Sequence, residues 1–171
     1  AFSTENWGRA AEEVSYLMDI FRKALLNEMD EIKKEGMRVR FIGQRERFSP
    51  DLREMMEKTE ESTKDFPNGT VGLAVSYGGR PEILMAVNKL LKEGKKEISE
   101  EEFSNSLWTA GIADPDIIIR TSGEERLSGF LPWQGVYSEL FFTKTYWPAF
   151  SKEEFLNILK EFSERERRNG K

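Results

Sequence analysis

Three consecutive isoleucines, Ile117, Ile118 and Ile119, run directly into Arg120. An unbroken β-branched run without polar alternation suits a strand covered on both faces, and such strands belong to parallel sheets flanked by helices. Parallel neighbours need long, usually helical, crossovers, so this run narrows the chain to the α/β class. It also says where to look for a ligand, because open α/β sheets bind in the crevice beyond the carboxyl ends of their strands. The residues beyond this strand are Thr121, Ser122, Gly123, Glu124, Glu125, Arg126, Leu127 and Ser128. Two guanidinium groups, neighbouring hydroxyls and amides freed by a glycine form an expected oxyanion cradle there. The planar fork of arginine matches phosphate oxygens in pairs, which lysine cannot do. Glu139 is expected within reach of the same region as a ligand for a divalent cation. The stretch reads as a diphosphate site.

The remaining chain alternates helix and strand around this run. Ala10, Val14, Leu17, Met18, Phe21, Leu25 and Ile32 recur at three and four, predicting one long amphipathic helix over residues 10–35 that stops at Gly36. Residues 37–43 and 71–75 read as strands, the second ending at Tyr77-Gly78-Gly79-Arg80. Ser49-Pro50-Asp51 and Pro81 open helices, and Ser99 with Glu102 has capping-box spacing for a helix over 100–107. Residues 131–136 predict one helical turn and 139–142 a last strand. Ser151 with Glu154 predicts a second capping box and Phe150 with Phe155 a hydrophobic staple, on a helix buried through Phe155, Ile158, Leu159 and Phe162. No repeat or linker interrupts the pattern. The expectation is one α/β domain over residues 1–171, with a mostly parallel central sheet flanked by helices.

Composition narrows the chemistry. Charged residues make up 33% and hydrophobic residues 38%, the profile of a soluble globular chain. A net charge of -5 argues against a nucleic-acid partner. With no cysteine and no histidine, thiolate chemistry, the usual zinc ligands and the commonest general base are all excluded. Catalysis is left to carboxylates, amides, hydroxyls, arginines and a hard cation bound through oxygen. No apolar run approaches the roughly 20 residues of a membrane span. No signal peptide is visible, so the expected location is cytoplasmic. The chain opens without methionine on Ala1-Phe2-Ser3, which reads like the end of a strand, so an upstream segment is expected.

Five segments occur in order: AFSTENWGR, SYGGR, IIIRTSGEERLSGFLPWQ, YSELFF and ERERRNG. Together they resemble the cis-prenyltransferases, the family of undecaprenyl diphosphate synthase, and the resemblance spans the whole chain. It implies a parallel sheet flanked by helices, a homodimer, and a hydrophobic tunnel for the growing chain. The implied activity is magnesium-dependent condensation of isopentenyl diphosphate onto an allylic diphosphate such as farnesyl diphosphate, each new double bond being cis. The implied product is polyprenyl, most naturally undecaprenyl, diphosphate, the bacterial cell-wall lipid carrier. A transient association with the membrane surface through that lipid product is also implied.

Carried over by position, the resemblance assigns Arg120, Arg126 and Ser128 to the diphosphate of isopentenyl diphosphate, with Leu127 lining that site. Glu139 would ligate Mg2+. Ser3, Thr4, Glu5, Trp7 and Arg9 would contact substrate, and Asn6 would serve catalysis by orienting a phosphate oxygen or water that takes the proton. The triplet Arg168-Asn169-Gly170 resembles the family's C-terminal element that reaches the partner subunit's site. Two departures stand out. The family's Asp-Gly-Asn-Gly-Arg motif, which carries a magnesium-binding aspartate, is absent from this chain, so the 171-residue chain alone is expected to be inactive. Glu125 stands where some bacterial members have histidine.

Blander roles compete at several positions. Arg120 and Arg126 are the right types for a surface ion-pair network with Glu124 and Glu125. Glu139 suits a salt bridge, Trp7 and Trp133 suit core packing, and the Gly78-Gly79-Arg80 turn suits simple chain reversal. Leu17 and Phe21, with the strand at Val71, are the expected tunnel wall. The rival functions are a non-catalytic subunit related to the family and a diphosphate-binding fragment without transferase activity.

Overall fold

The computed structural model describes residues 1–166, which form two compact units, Ala1–Ile112 and a second running from Ala113. Arg168, Asn169 and Gly170 lie outside the described residues.

In the first unit, strands β1 (Phe2–Ser3), β2 (Arg38–Ile42) and β3 (Thr70–Tyr77) form a parallel sheet in the order β1-β3-β2. Register is set by Phe2 beside Val75 and Val39 beside Val71. Helices α1 (Ala11–Asn27), α2 (Met29–Lys34), α3 (Pro50–Thr63), α4 (Gly79–Lys92) and α5 (Glu100–Ser104) make the connections. Parallel pairing through helical crossovers is what the α/β expectation requires. The predicted helix over 10–35 is divided at Glu28; Asn27, among the poorest helix formers on that stretch, precedes the break. The helix predicted over 100–107 ends at Ser104, where the hydroxyl-rich run that follows bonds its own backbone, Ser106 Oγ donating to the Glu102 carbonyl at 2.9 Å.

The core sits between α1, α3 and the sheet: Leu25, Met29, Val39, Phe41, Phe48, Leu52, Met56 and Val75 are all buried. Alternation along β2 explains two of these, Val39 and Phe41 pointing inward. The free edge of β2 is blunted by side chains of α3. Val39 N–H donates to Thr63 Oγ1 at 3.0 Å and Phe41 N–H to Glu60 Oε1 at 2.8 Å. Arg45 then ties Glu60 to the Phe41 carbonyl, both at 2.7 Å. An edge whose amides are already occupied offers no template for a foreign strand.

In the second unit, β4 (Ile117–Arg120) pairs parallel with β5 (Glu139–Phe142), Ile117 beside Glu139 and Arg120 beside Phe142. Ile118 and Phe141 are its buried strand residues. The predicted turn over 131–136 is one helical turn, Gly135 N–H donating to the Leu131 carbonyl at 2.9 Å. Helix α6 (Lys152–Glu164) is capped by Ser151 Oγ, which accepts from Glu154 N–H at 3.1 Å. The reciprocal half of the predicted box is missing because the Glu154 carboxylate accepts the Thr143 hydroxyl instead. Ile158 is the buried residue of α6, Leu159 and Phe162 are half-buried, and Phe155 is exposed, contrary to expectation. Phe150 stacks on Trp147 with ring centroids 6.1 Å apart.

Candidate active site

The carboxyl end of β4 presents Arg120. The residue is half-buried, and its guanidinium has no hydrogen-bond or ion-pair partner among the described residues. Its five donors in a fixed fork are therefore uncommitted to protein acceptors there. Four non-glycine residues adopt left-handed φ among the described residues, and three of them, Ser122 (73°), Ser128 (49°) and Leu131 (47°), follow Arg120 in this one loop. Left-handed backbone is costly for residues with a Cβ and gathers at functional sites. Two of the loop's amides are already engaged. Ser122 N–H donates to the Thr145 carbonyl at 2.9 Å and Gly123 N–H to the Thr143 carbonyl at 2.8 Å. Those two amides shape the loop. Arg126 is exposed and paired with Glu124, Ser128 is exposed, Leu127 is half-buried, and Glu125 is exposed beside them.

Glu139 opens β5. The register places it beside Ile117, three residues from the level of Arg120, which is about 10 Å along a strand. Its carboxylate pairs with Arg165 at 2.7 Å. Arg165 lies over the Phe141 ring at 4.0 Å and also pairs with Glu161 at 2.6 Å. The bonds to Glu139 and then Glu161 hold the Arg165 pKa above its ordinary value. No group of three or more acidic side chains suited to a metal exists among the described residues. A single accessible carboxylate still fits magnesium, which keeps several waters and takes its remaining ligands from substrate phosphates.

The first unit carries the second cluster. A 3-10 helix, Thr4–Gly8, follows β1. Ser3 N–H and Ser3 Oγ both donate to Asn6 Oδ1, at 2.8 and 3.1 Å. The Asn6 carbonyl oxygen is thus occupied, and its NH2 is the part free to act, as a donor rather than as a base. Trp7 is anchored: its indole N–H donates to the buried Ser76 hydroxyl at 2.8 Å, and its ring meets Phe2 and Phe48 edge-on at 4.9 and 5.4 Å. Thr4 packs so closely on Gly78 that a Cβ there would lie 2.5 Å from its hydroxyl. Glu5 is exposed, its carboxyl held below the usual range by its own amide and then by the Ser3 hydroxyl. Arg9 pairs with Glu13 at 2.5 Å on the solvent face.

Beside this segment an apolar cavity of about 210 Å³ opens between α1 and the sheet. Leu17 and Phe21 line it as expected, with Phe2, Met18, Phe48 and Val75. The strand that begins at Val71, also expected, contributes Val75, the residue paired with Phe2. Three residues of this cluster were not singled out from the sequence as site residues. The Arg47 guanidinium lies 4.8 Å above the Trp7 ring, and Ser76 and Glu82 stand behind it. Arg47 and Ser76 meet Trp7 across long sequence separations, and Glu82 meets Tyr77 and Thr109, so no local signal marks them.

Parallel strand pairing, an arginine at the carboxyl end of β4 and an apolar cavity beside the Asn6-Trp7 segment are the features the chain presents. Residues 1–170 match the prenyltransferase family profile of undecaprenyl diphosphate synthases, and the chain belongs to that family. It is 48% identical to an isoprenyl transferase of Aquifex pyrophilus, over 100% of this chain and 74% of the relative. An isoprenyl transferase of Thermotoga maritima is also 48% identical, over 99% of this chain and 75% of the relative. Among solved structures, lavandulyl diphosphate synthase from Lavandula x intermedia, in complex with dimethylallyl diphosphate, superposes with a TM-score of 0.93. It is 30% identical and covers 100% of this chain and 77% of its own.

Proposed function

We propose that this chain elongates a cis-polyprenyl diphosphate, joining isopentenyl diphosphate to an allylic diphosphate primer. The observation that carries the reading is Arg120, half-buried at a strand's carboxyl end and without an acceptor among the described residues, in a chain whose net charge is -5. Membership of the family supports prenyl transfer. The name of the lavandulyl relative's bound ligand supports an allylic diphosphate as one substrate.

In the reaction, the bond between C1 of the primer and its diphosphate breaks, and the terminal alkene carbon of isopentenyl diphosphate bonds to C1. The positive charge left at C3 of isopentenyl diphosphate is then discharged by loss of a proton from C2, restoring a double bond between C2 and C3. Arg120, Arg126 and Ser128 hold the isopentenyl diphosphate headgroup by charge-assisted hydrogen bonds. Bringing the two substrates together supplies about 7–11 kcal/mol by making the encounter effectively unimolecular. Asn6, through its NH2, orients the phosphate oxygen or water that receives the proton. Magnesium, held by Glu139 and substrate oxygens, would neutralise charge on the departing diphosphate. The apolar cavity takes the primer's hydrocarbon, each buried CH2 contributing about 0.8 kcal/mol.

The finer assignments belong to the same proposal: an undecaprenyl product, a cytoplasmic enzyme and a homodimer. No helix among the described residues is long and apolar enough to cross a membrane. A dimer is supported by apolar side chains left exposed in the second unit, Tyr137 at 82%, Trp147 at 73% and Tyr146 at 70%. The direct test is calorimetric titration with isopentenyl diphosphate in magnesium: saturable binding supports the reading, and none overturns it. Product length gives a second test. In a longer protein that also carries the Asp-Gly-Asn-Gly-Arg motif, Leu17→Trp fills the cavity, and reversed-phase chromatography of labelled products should show a shorter ladder; an unchanged ladder would remove the cavity from the account.

A further inference from the structure

The turn that ends β3 contains the remaining left-handed residue, Ser76, at φ 50° and fully buried. A serine is held there by bonds on every side. Its carbonyl accepts from Gln44 N–H at 3.1 Å, and its hydroxyl accepts from the Trp7 indole at 2.8 Å. Gly43 closes against it so tightly that a Cβ would lie 2.0 Å from the Val75 carbonyl oxygen. The next residue, Tyr77, donates its hydroxyl to Glu82 Oε2 at 2.6 Å. Glu82 is fully buried and takes a second bond from Thr109 N–H at 3.2 Å. A buried carboxylate is costly, and an apolar pair of similar shape would often fold as well or better. Its place has a geometric consequence: Glu82 bonds Tyr77, and Tyr77 is the chain neighbour of the strained residue that holds Trp7.

We propose that Glu82 is a positioning residue for the substrate-contacting segment over residues 3–9, acting through Tyr77 and Ser76 on Trp7. The inference rests on the transferase reading and deepens it. The Tyr77-Gly78-Gly79-Arg80 turn, otherwise a simple chain reversal, becomes the bed on which that segment is seated. Gly78 admits Thr4, Ser76 fixes the Trp7 indole, and the backbone that carries Asn6 is set between them. Trp7 also forms the aromatic wall with Phe2 and Phe48, two residues that line the apolar cavity. A loosened Ser76 turn therefore disturbs the lining of the primer site and the aim of Asn6 together.

The test uses the indole N–H signals of the 15N-labelled chain, that of Trp7 being the one lost in Trp7→Phe. In Glu82→Gln and in Tyr77→Phe the Trp7 signal should move, and its exchange with water should quicken by about tenfold or more, while the Trp133 and Trp147 signals stay in place. The dissociation constant for farnesyl diphosphate, measured by calorimetry, should rise by about tenfold in the same variants. Tyr77→Phe removes a single hydroxyl and carries the test if Glu82→Gln fails to fold. A lowered melting temperature with an unmoved Trp7 signal would overturn the proposal, leaving Glu82 as packing alone. A moved signal with unchanged farnesyl diphosphate affinity would overturn it equally. If the wild-type chain binds no farnesyl diphosphate, the transferase reading falls instead, and the response of Trp7 to the two variants still reports whether the clamp exists.

Discussion

The two clusters are built in opposite ways. In the segment after β1, almost every functional side chain already has a protein partner: Asn6 holds Ser3, Trp7 holds Ser76, and Arg9 holds Glu13. In the loop after β4, Arg120 has none among the described residues, and Arg126 has only an exposed carboxylate two residues away. The first cluster is built around Trp7 and is seated on a hydrophobic core. The second sets two arginines among Glu124, Glu125 and Glu139 and rests on a two-stranded sheet with few buried side chains. On the proposed function, the contrast follows from the groups each would meet. A hydrocarbon and a proton relay need fixed walls, whereas a diphosphate brings its own acceptors and completes an unfinished set of donors.

The largest effect expected from breaking this contrast is at Arg120. Arg120→Ala should weaken isopentenyl diphosphate binding by about 2 kcal/mol, roughly thirtyfold, with little change in melting temperature. Calorimetry and a thermal melt read the two arms. Arg120→Lys should recover only part of the affinity, because an ammonium cannot make the paired contact. A smaller effect of the opposite kind is expected at Trp7. Trp7→Phe keeps a ring against Phe2 and Phe48 but loses the bond to Ser76, so urea unfolding should show a loss of about 1 kcal/mol. Isopentenyl diphosphate binding should be nearly unchanged. If Trp7→Phe costs no stability while Arg120→Ala does, the assignment of a seated and an open cluster is reversed.

The smallest expected effect is a pH dependence. The Glu5 carboxyl lies below its ordinary 4.5 because its own amide, and then the Ser3 hydroxyl, favour the ionised form. A carboxyl depressed in the folded state adds stability that is present above the unfolded value and lost as the pH falls through the folded one. The urea midpoint should therefore drop more between pH 6 and pH 3 in the wild type than in Glu5→Gln. Equal drops in the two proteins would remove Glu5 from the acid response.

Much of this was legible in the chain itself because it was written locally. The isoleucine run marked β4 and put Arg120 at its carboxyl end, since strand direction and strand end are both sequence properties. The spacing of Leu17 and Phe21 gave one wall of the cavity, and the Ser99–Glu102 box capped α5 as read. Local reading failed where a side chain had a better distant partner. Glu154 abandoned its half of the capping box for Thr143, and the amides of Ser122 and Gly123 went to carbonyls beyond β5.

The sequence by itself determined the class of fold, the family and the residue types able to meet a diphosphate. Periodicity, caps and motifs each act within a few residues of chain. Only the tertiary structure decided which of those residues are already satisfied and which are left open. It showed the Asn6 side-chain oxygen to be occupied by Ser3, Glu139 to be paired with Arg165 at the amino end of β5, and Ser76 to hold the Trp7 indole. Hydrogen bonds between residues as far apart as 7 and 76 follow from packing, which no local pattern encodes.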